Sequence, residues 1–152
     1  MAQYFFDTSA IVKYYHTETG TAAVSAIFAE PGRKVRVSGL GFLEIQSAFA
    51  MKVRSGILDR KAAGMQRARL MLDIAAGDIE VYSVTEDHFV FAERLIGRHS
   101  FSHRLRTLDA LQLAVALDLA GQNLLDRFVV ADQSLATVAA AERLKVVNPE
   151  TS

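Results

Sequence analysis

The strongest constraint on the fold is a regular alternation of short apolar runs with longer segments of helical periodicity. The short runs are rich in aromatic and β-branched residues, which is typical of strands. They are "QYFF", "KVRVS", "IEVYSV", "RFVVA" and "LKVVN", at residues 3–6, 34–38, 79–84, 127–131 and 144–148. Strands that alternate with helices indicate βαβ crossovers, so the pattern predicts an α/β fold whose mainly parallel five-stranded sheet is covered on both faces.

Helical spacing of apolar residues fills the segments between these runs. The predicted helices cover about residues 9–16, 21–30, 41–55, 59–76, 86–98, 107–120 and 133–143. Gly56, Gly77 and Gly121 lie where an apolar-periodic segment ends, as helix-terminating glycines do. Segment 107–120 is apolar on nearly every side, which predicts a buried helix.

Composition indicates one compact domain, residues 1–152, because 51% of the chain is hydrophobic. The chain has no cysteine, which excludes disulfides and thiolate metal sites and suits a reducing compartment. Its longest apolar stretch is interrupted by Asp109, Gln112 and Asp118 and falls short of the roughly 20 apolar residues of a membrane span. We therefore expect a cytoplasmic protein that does not interact with membranes.

Aspartates follow two of the predicted strands directly. Asp7 ends the first strand and Asp132 ends the fourth, and each is followed by polar residues and an apolar helix. Aspartate at this position often caps the helix by accepting hydrogen bonds from its first N–H groups. Capping is therefore the simplest interpretation of each residue taken alone.

Two further acids lie near predicted helix starts. Glu44 shares a helical face with Leu40, Ala48 and Met51, although glutamate is seldom buried without a partner. A position at the rim or in an internal salt bridge would also explain it. Asp109 lies in the first turn of the most apolar helix, where Thr107 or Asp109 could cap that helix and a negative charge suits the helix dipole.

The positions of these acids favour a shared site. In a parallel α/β sheet, strand carboxyl ends and the following helix amino ends gather along one edge. Carboxylates that converge there repel one another and raise each other's pKa unless a cation neutralises them. Oxygen ligands without cysteine or a histidine pair suit Mg²⁺ or Mn²⁺. The pattern predicts that such an ion is bound by Asp7, Glu44, Asp109 and Asp132.

Four stretches together resemble the motifs of PIN domains, and most closely those of the VapC-like toxins of toxin–antitoxin pairs. They are "FFDTSAIVKYY", "LGFLEIQSAFA", "LRTLDALQLAVAL" and "FVVADQSLATVAAAERLKVVNP". The resemblance spans about residues 3–149. It implies a Rossmann-like three-layer α/β/α fold and a Mg²⁺- or Mn²⁺-dependent endoribonuclease that hydrolyses RNA phosphodiester bonds. It also implies a homodimer and a VapB-like protein antitoxin.

The family's acidic residues correspond to Asp7, Glu44, Asp109 and Asp132 of this chain, and Ser9 matches a small hydroxyl residue that supports the metal site. One position departs from the family pattern. The family commonly has Thr or Ser two residues before the last aspartate, where this chain has Val130. Without a hydroxyl at this position, Asp132 lacks the side-chain support that the family pattern implies.

A basic concentration precedes Asp109. It consists of Arg94, Arg98, His99, His103, Arg104 and Arg106. Arginine can bind phosphate through two parallel hydrogen bonds, so Arg98, Arg104 and Arg106 are candidate RNA-binding residues. An ordinary solvated helix end would show the same pattern. The formal net charge of the chain is zero, so affinity for RNA has to come from such a local patch.

Two other functions are compatible with parts of the pattern. A phosphatase of haloacid-dehalogenase type also has a nucleophilic aspartate after its first strand, but it needs a second aspartate two places on as general acid. Ser9 occupies that place here. A catalytically inactive PIN-like binding module, whose acids only cap helices, would be consistent with Val130.

Overall fold

A parallel sheet forms the centre of the computed structural model, which describes residues 1–152. Its strands are β1 (Gln3–Phe6), β2 (Lys34–Ser38), β3 (Glu80–Tyr82), β4 (Arg127–Val129) and β5 (Val146–Val147). All four pairings are parallel and the spatial order is β3-β2-β1-β4-β5. The predicted parallel five-stranded sheet is therefore confirmed.

Seven helices connect the strands. They are α1 (Thr8–Tyr15), α2 (Thr21–Ala29), α3 (Gly39–Arg54), α4 (Arg60–Ala75), α5 (Glu86–His99), α6 (Thr107–Gly121) and α7 (Gln133–Ala141). Each lies where helical spacing predicts it, and α3 and α4 form the expected helical hairpin. No helix of the structure combines the length and the apolar character that a membrane span requires.

The central strand shows how the sheet divides two apolar cores. Tyr4 and Phe6 point to the face covered by α1 to α4, while Phe5 points to the face covered by α5, α6 and α7. In β4, Phe128 and Val129 separate in the same way. Side chains of a strand alternate between its faces, so a strand covered on both sides reads as a continuous apolar run. This arrangement confirms the three-layer α/β/α fold.

Helix α6 is buried along almost its whole length, as its composition predicts. Its buried residues are Ala110, Leu111, Gln112, Leu113, Ala114, Val115, Ala116 and Leu119. Gln112 is the one strongly polar side chain among them. A buried amide needs hydrogen-bond partners, and those of Gln112 are Ser38 and Glu44.

Several element boundaries differ from the prediction. The third, fourth and fifth strands are shorter than the apolar runs 79–84, 127–131 and 144–148. Val130 follows β4, yet it is fully buried and its N–H donates to the carbonyl of Val147 at 3.0 Å. An apolar run in the sequence thus indicates buried residues. The buried segment extends beyond the residues that form the strand.

The end of α6 also differs from the prediction. Gly121 is its last helical residue, and the left-handed conformation falls on Asn123, whose φ is 59°. Asparagine tolerates this conformation better than most residues. Gly56 and Gly77 do adopt positive φ, 77° and 80°, after α3 and α4.

The order of the strands places one edge of the sheet at a switch point. The chain moves outward from β1 to β2 and β3 and later fills the other side with β4 and β5. The backbone N–H of Asp7 donates to the carbonyl of Val129 at 2.9 Å, so the carboxyl ends of β1 and β4 lie side by side. Open parallel sheets bind ligands in the crevice at such a point.

Candidate metal centre

Asp7 lies at the carboxyl end of the central strand and caps α1. Its Oδ2 accepts hydrogen bonds from the N–H of Ser9 at 3.1 Å and from the Ser9 hydroxyl at 2.6 Å. The residue is only 5% exposed. Burial raises the pKa of Asp7, the bonds from Ser9 oppose that change, and the charge of Asp109 adds to it. Asp7 is therefore a helix cap and a nearly buried carboxylate at once.

Glu44 projects from the second turn of α3 and is half-buried. Its Oε1 accepts a hydrogen bond from the Thr8 hydroxyl at 3.2 Å and a longer one from Gln112 Nε2 at 3.5 Å. Burial raises the pKa of Glu44, and the negative charges of Asp7 and Asp109 raise it further. The carboxylate has no basic partner in the chain, so an internal salt bridge does not explain its position.

Asp109 is half-buried in the first turn of α6. The N-cap residue of this helix is Arg106, so neither Thr107 nor Asp109 caps it from the N-cap position. Burial raises the pKa of Asp109 and the charge of Asp132 adds to the effect, whereas the backbone N–H and the charge of Arg106 lower it. Asp109 thus interacts electrostatically with Asp132 as well as with Asp7 and Glu44.

Asp132 caps α7, with its Oδ1 accepting from the N–H of Leu135 at 2.9 Å, and its side chain is exposed. Ser9 supports the loop before it, because the Ser9 hydroxyl oxygen accepts from the N–H groups of Ala131 at 3.0 Å and Asp132 at 3.2 Å. Val130 has no hydroxyl, but Ser9 provides this loop with an acceptor from the neighbouring β1–α1 junction. The departure at Val130 therefore does not leave the loop unsupported.

The electrostatic couplings link all four acids at one edge of the sheet. Asp109 raises the pKa of Asp7, both raise that of Glu44, and Asp132 raises that of Asp109. None of the four forms an ion pair with lysine or arginine. They do not form a closed group of three or more ready-made metal ligands. We refer to this group of coupled acids, at the edge of the sheet where the strand order reverses, as the acidic cleft.

The donor set of this cleft fits a hard divalent cation. Carboxylate oxygens are the ligands that Mg²⁺ and Mn²⁺ prefer, and Mg²⁺ usually keeps several waters beside one or two carboxylates. An open set of acids meets that requirement better than a closed cage does. Asp7, Glu44, Asp109 and Asp132 are the residues that would hold the ion.

The candidate RNA-binding arginines are divided between two places. Arg106 lies beside Asp109, and Arg104 lines a polar cavity of about 270 Å³ together with residues at the start of α7. Arg98 instead pairs with Glu142 at 2.5 Å. Glu142 follows the last residue of α7, so this pair lies at the opposite end of that helix from Asp132. The structure brings Arg104 and Arg106 towards the acids and leaves Arg98 away from them.

Sequence reasoning missed three residues that contact or orient these acids. They are Thr8, Ser38 and Gln112. Thr8 and Gln112 bond to Glu44, and Ser38 donates to Gln112 Oε1 at 2.6 Å. The sequence feature that could have indicated Gln112 is a lone amide within an apolar helix. A buried amide is costly unless it is hydrogen-bonded, so such a residue requires partners.

Comparison with known proteins identifies the family. The profile of the PIN domain matches residues 4–140. Ribonuclease VapC45 of Mycobacterium tuberculosis (strain CDC 1551 / Oshkosh) is 30% identical over 144 residues, which cover 93% of this chain and 92% of that protein. The chain therefore belongs to the PIN-domain family, and it is similar to the VapC ribonucleases within it.

Solved structures show the same fold at lower identity. VapC20 of Mycobacterium tuberculosis, described as a sarcin-ricin loop cleaving toxin, aligns with a TM-score of 0.64 at 18% identity, over 88% of this chain and 93% of that one. A toxin–antitoxin complex from Klebsiella pneumoniae aligns with a TM-score of 0.61 at 17% identity, over 98% of each chain.

The raised pKa values predict how metal-free stability depends on pH. An acid whose pKa is higher in the folded state stabilises the fold while it is protonated, and that contribution is lost as the pH rises through the folded pKa. We expect Asp7→Asn to remove part of this loss. In EDTA, the Tm of the variant minus that of the unaltered chain should increase as the pH rises from about 4, where free aspartate titrates, to about 7.

Thermal melts at a series of pH values measure this difference. Glu93→Gln is the matched control, because Glu93 is exposed in the interior of α5 and lies outside the cleft. Its Tm difference should stay constant over the same range. A constant difference for Asp7→Asn as well would contradict the electrostatic description of the cleft.

Proposed function

We propose that this protein is a Mg²⁺- or Mn²⁺-dependent endoribonuclease and the toxin component of a type II toxin–antitoxin pair. The observation that carries the proposal is that Asp7, Glu44, Asp109 and Asp132, from four separate parts of the chain, are electrostatically coupled and that none of them forms an ion pair. Such unneutralised acids mark a functional site. The named ribonuclease among its relatives supports the reaction. The proposed location is the cytoplasm, where a cellular RNA substrate would be available.

The reaction is hydrolysis of a phosphodiester bond. When bound, the divalent ion would supply a polarised water and charge that offsets the phosphoryl oxygens. Ser9 orients Asp7 and the loop of Asp132, while Thr8 orients Glu44. Arg106 and Arg104 are placed to bind phosphates of the RNA backbone, because guanidinium groups match phosphate geometry. Arg98 forms an ion pair with Glu142, so we expect it to contribute less to RNA binding than Arg104 and Arg106.

The two alternatives are weaker on these observations. Membership of the PIN-domain family argues against a haloacid-dehalogenase phosphatase, and the Ser9 hydroxyl is engaged with Asp7 and the loop of Asp132. An inactive module that uses its acids only as caps would not explain Glu44, which caps no helix. Catalysis by the purified chain separates the inactive module from the enzyme.

We expect cleavage of a structured RNA by the purified protein with Mn²⁺, and none with EDTA. Asp7→Asn and Asp109→Asn should each lower the cleavage rate by roughly 100-fold or more, because each removes a charge that would hold the ion. Gel-based cleavage assays on end-labelled RNA measure the rates, and circular dichroism checks the fold. Asp87→Asn, an exposed change of the same chemistry, should cleave normally. Full activity of both cleft variants would refute the proposed function.

The groove between α3 and α4 is the proposed docking site of the antitoxin. It has a volume of about 310 Å³ and an apolar floor that includes Phe49, Ala50, Val53 and Ala63. Arg54, Arg60 and Arg67 surround it, and the ion pairs of the chain involve other arginines only. A partner segment with apolar and acidic side chains complements this surface.

A second copy of the chain fits the same groove poorly. In a two-fold interface the same patch of both copies meets, so two basic rims would be brought together, and like charges disfavour such contact. The toxin–antitoxin complex from Klebsiella pneumoniae, which shares the fold, is consistent with a separate protein partner. The proposed occupant of the groove is therefore an acidic segment of the antitoxin.

Reversal of charge at the groove should weaken the antitoxin complex. We expect Arg60→Glu to raise the Kd for the cognate antitoxin by about tenfold or more. Arg94→Glu makes the same change on exposed α5, across the sheet, and should leave the Kd unchanged. Calorimetric titration measures both. Equal Kd values for the two variants would exclude the groove as the docking site.

A separate apolar surface supports the homodimer. Leu40, Leu43, Val84, Phe89 and Leu111 line a depression of about 390 Å³ between α3, α5 and α6. Leu43 is 63% exposed and Phe89 is 59% exposed, which is unusual for adjacent large apolar side chains of a monomer. This face has no charged residue in its lining and suits contact with its own copy.

Sedimentation equilibrium tests the homodimer. The unaltered chain should sediment as a dimer at tens of micromolar, and Leu43→Glu should shift it to a monomer because a charge would be buried at the contact. Leu72→Glu is the matched control, since Leu72 is 68% exposed on α4, outside this face. A dimer that tolerates Leu43→Glu would place the interface elsewhere.

A further inference from the structure

The amide of Gln112 lies in the apolar interior next to the acidic cleft. It is 1% exposed, and it is one turn beyond Asp109 on α6. Its Oε1 accepts a hydrogen bond from the Ser38 hydroxyl at 2.6 Å. Its Nε2 faces Glu44 Oε1 at 3.5 Å, which is long for a hydrogen bond. The side chain therefore bridges the start of α3 and the start of α6.

Ser38 determines which end of the amide faces Glu44. The Ser38 hydroxyl oxygen accepts from the N–H of Gly41 at 2.8 Å, so its own proton is directed at the amide of Gln112. The opposite amide orientation would leave that proton unpaired and would place the amide oxygen against a carboxylate. The amide nitrogen is thus directed at Glu44.

Gly41 leaves the space in which these polar groups meet. A Cβ atom at this position would lie 3.1 Å from Gln112 Nε2, 3.4 Å from Ser38 Oγ and 3.8 Å from Thr8 Oγ1. The first of these is tighter than ordinary contact. An alanine here would displace the amide or the helix that carries it.

We propose that Gln112 is a positioning residue that holds Glu44 in the acidic cleft and couples it to the helix of Asp109. The Thr8 hydroxyl donates to Oε1 of Glu44 and the Gln112 amide faces the same oxygen, which leaves Oε2 for a cation. Hydrogen-bonded partners of metal-ligating carboxylates typically change metal affinity by about 10-fold to 100-fold. The metal effect rests on the proposed function, whereas the contact itself does not.

A double-mutant cycle in EDTA tests the contact without any metal. Gln112→Met removes the amide, Glu44→Met removes its acceptor, and the free energy of unfolding is measured in urea for each variant and for both together. We expect Gln112→Met to destabilise the protein less when Glu44 is already replaced, because the amide then has lost its acceptor. Strict additivity of the two changes would overturn the inference.

Calorimetric titration with Mn²⁺ tests the positioning. Gln112→Met should raise the Kd for Mn²⁺ by about tenfold while the protein remains folded. Gly41→Ala should raise the Kd in the same direction, because it displaces the amide without removing it. Gln122→Met is the matched control. Gln122 lies just beyond the far end of α6 and also donates to a carboxylate, that of Asp118. Its Kd should be unchanged.

The two measurements separate this inference from the proposed function. An unchanged Kd in folded Gln112→Met overturns the positioning role while the metal centre stands. If the unaltered chain binds no Mn²⁺, the proposed function fails, and the metal-free cycle alone then decides whether Gln112 holds Glu44.

Discussion

The burial of the Asp7 carboxylate at the end of the central strand is the constraint on which the candidate site depends. Asp7 is held beside β4 by its own backbone, and Ser9 bonds both to its side chain and to the loop of Asp132. Thr8, between them, bonds to Glu44 on α3. Three consecutive residues at the β1–α1 junction thus connect the elements that carry two of the other acids. A change in this junction would move several candidate ligands together.

The chain treats its other buried charges differently. Lys13 is paired with Glu18 and Glu150, and Arg36 is paired with Glu80. A buried charge is costly unless a partner or a hydrogen-bond network offsets it, and these residues follow that rule. The acids of the cleft are the exception, because they raise one another's pKa and none of them forms an ion pair, although the charge of Arg106 partly offsets the effect at Asp109. This contrast within one molecule supports the proposal that the acids serve a functional site.

The sequence predicts the location of a residue well where the order of strands and helices fixes it. It predicts poorly which residues, distant in the chain, come into contact. Asp7 and Asp132 follow strands directly, so the topology of a parallel sheet places both at one edge. Arg98 was expected near the acids because it precedes Asp109 by few residues, but α5 ends there and Glu142 binds it. Thr8 and Gln112 reach Glu44 from positions 36 and 68 residues away. Nothing local in the chain indicates such pairs.

Helix capping and metal binding, which compete as explanations of the acids in sequence, are compatible in the structure. The hydrogen bonds of Asp7 fall on Oδ2, those of Glu44 on Oε1, and that of Asp132 on Oδ1. Each carboxylate is thus anchored to the scaffold through one oxygen. An anchored side chain has already lost rotamer freedom on folding, so less remains to be lost when a ligand binds. The bonds that anchor these carboxylates would therefore also preorganise the remaining oxygens for the proposed cation.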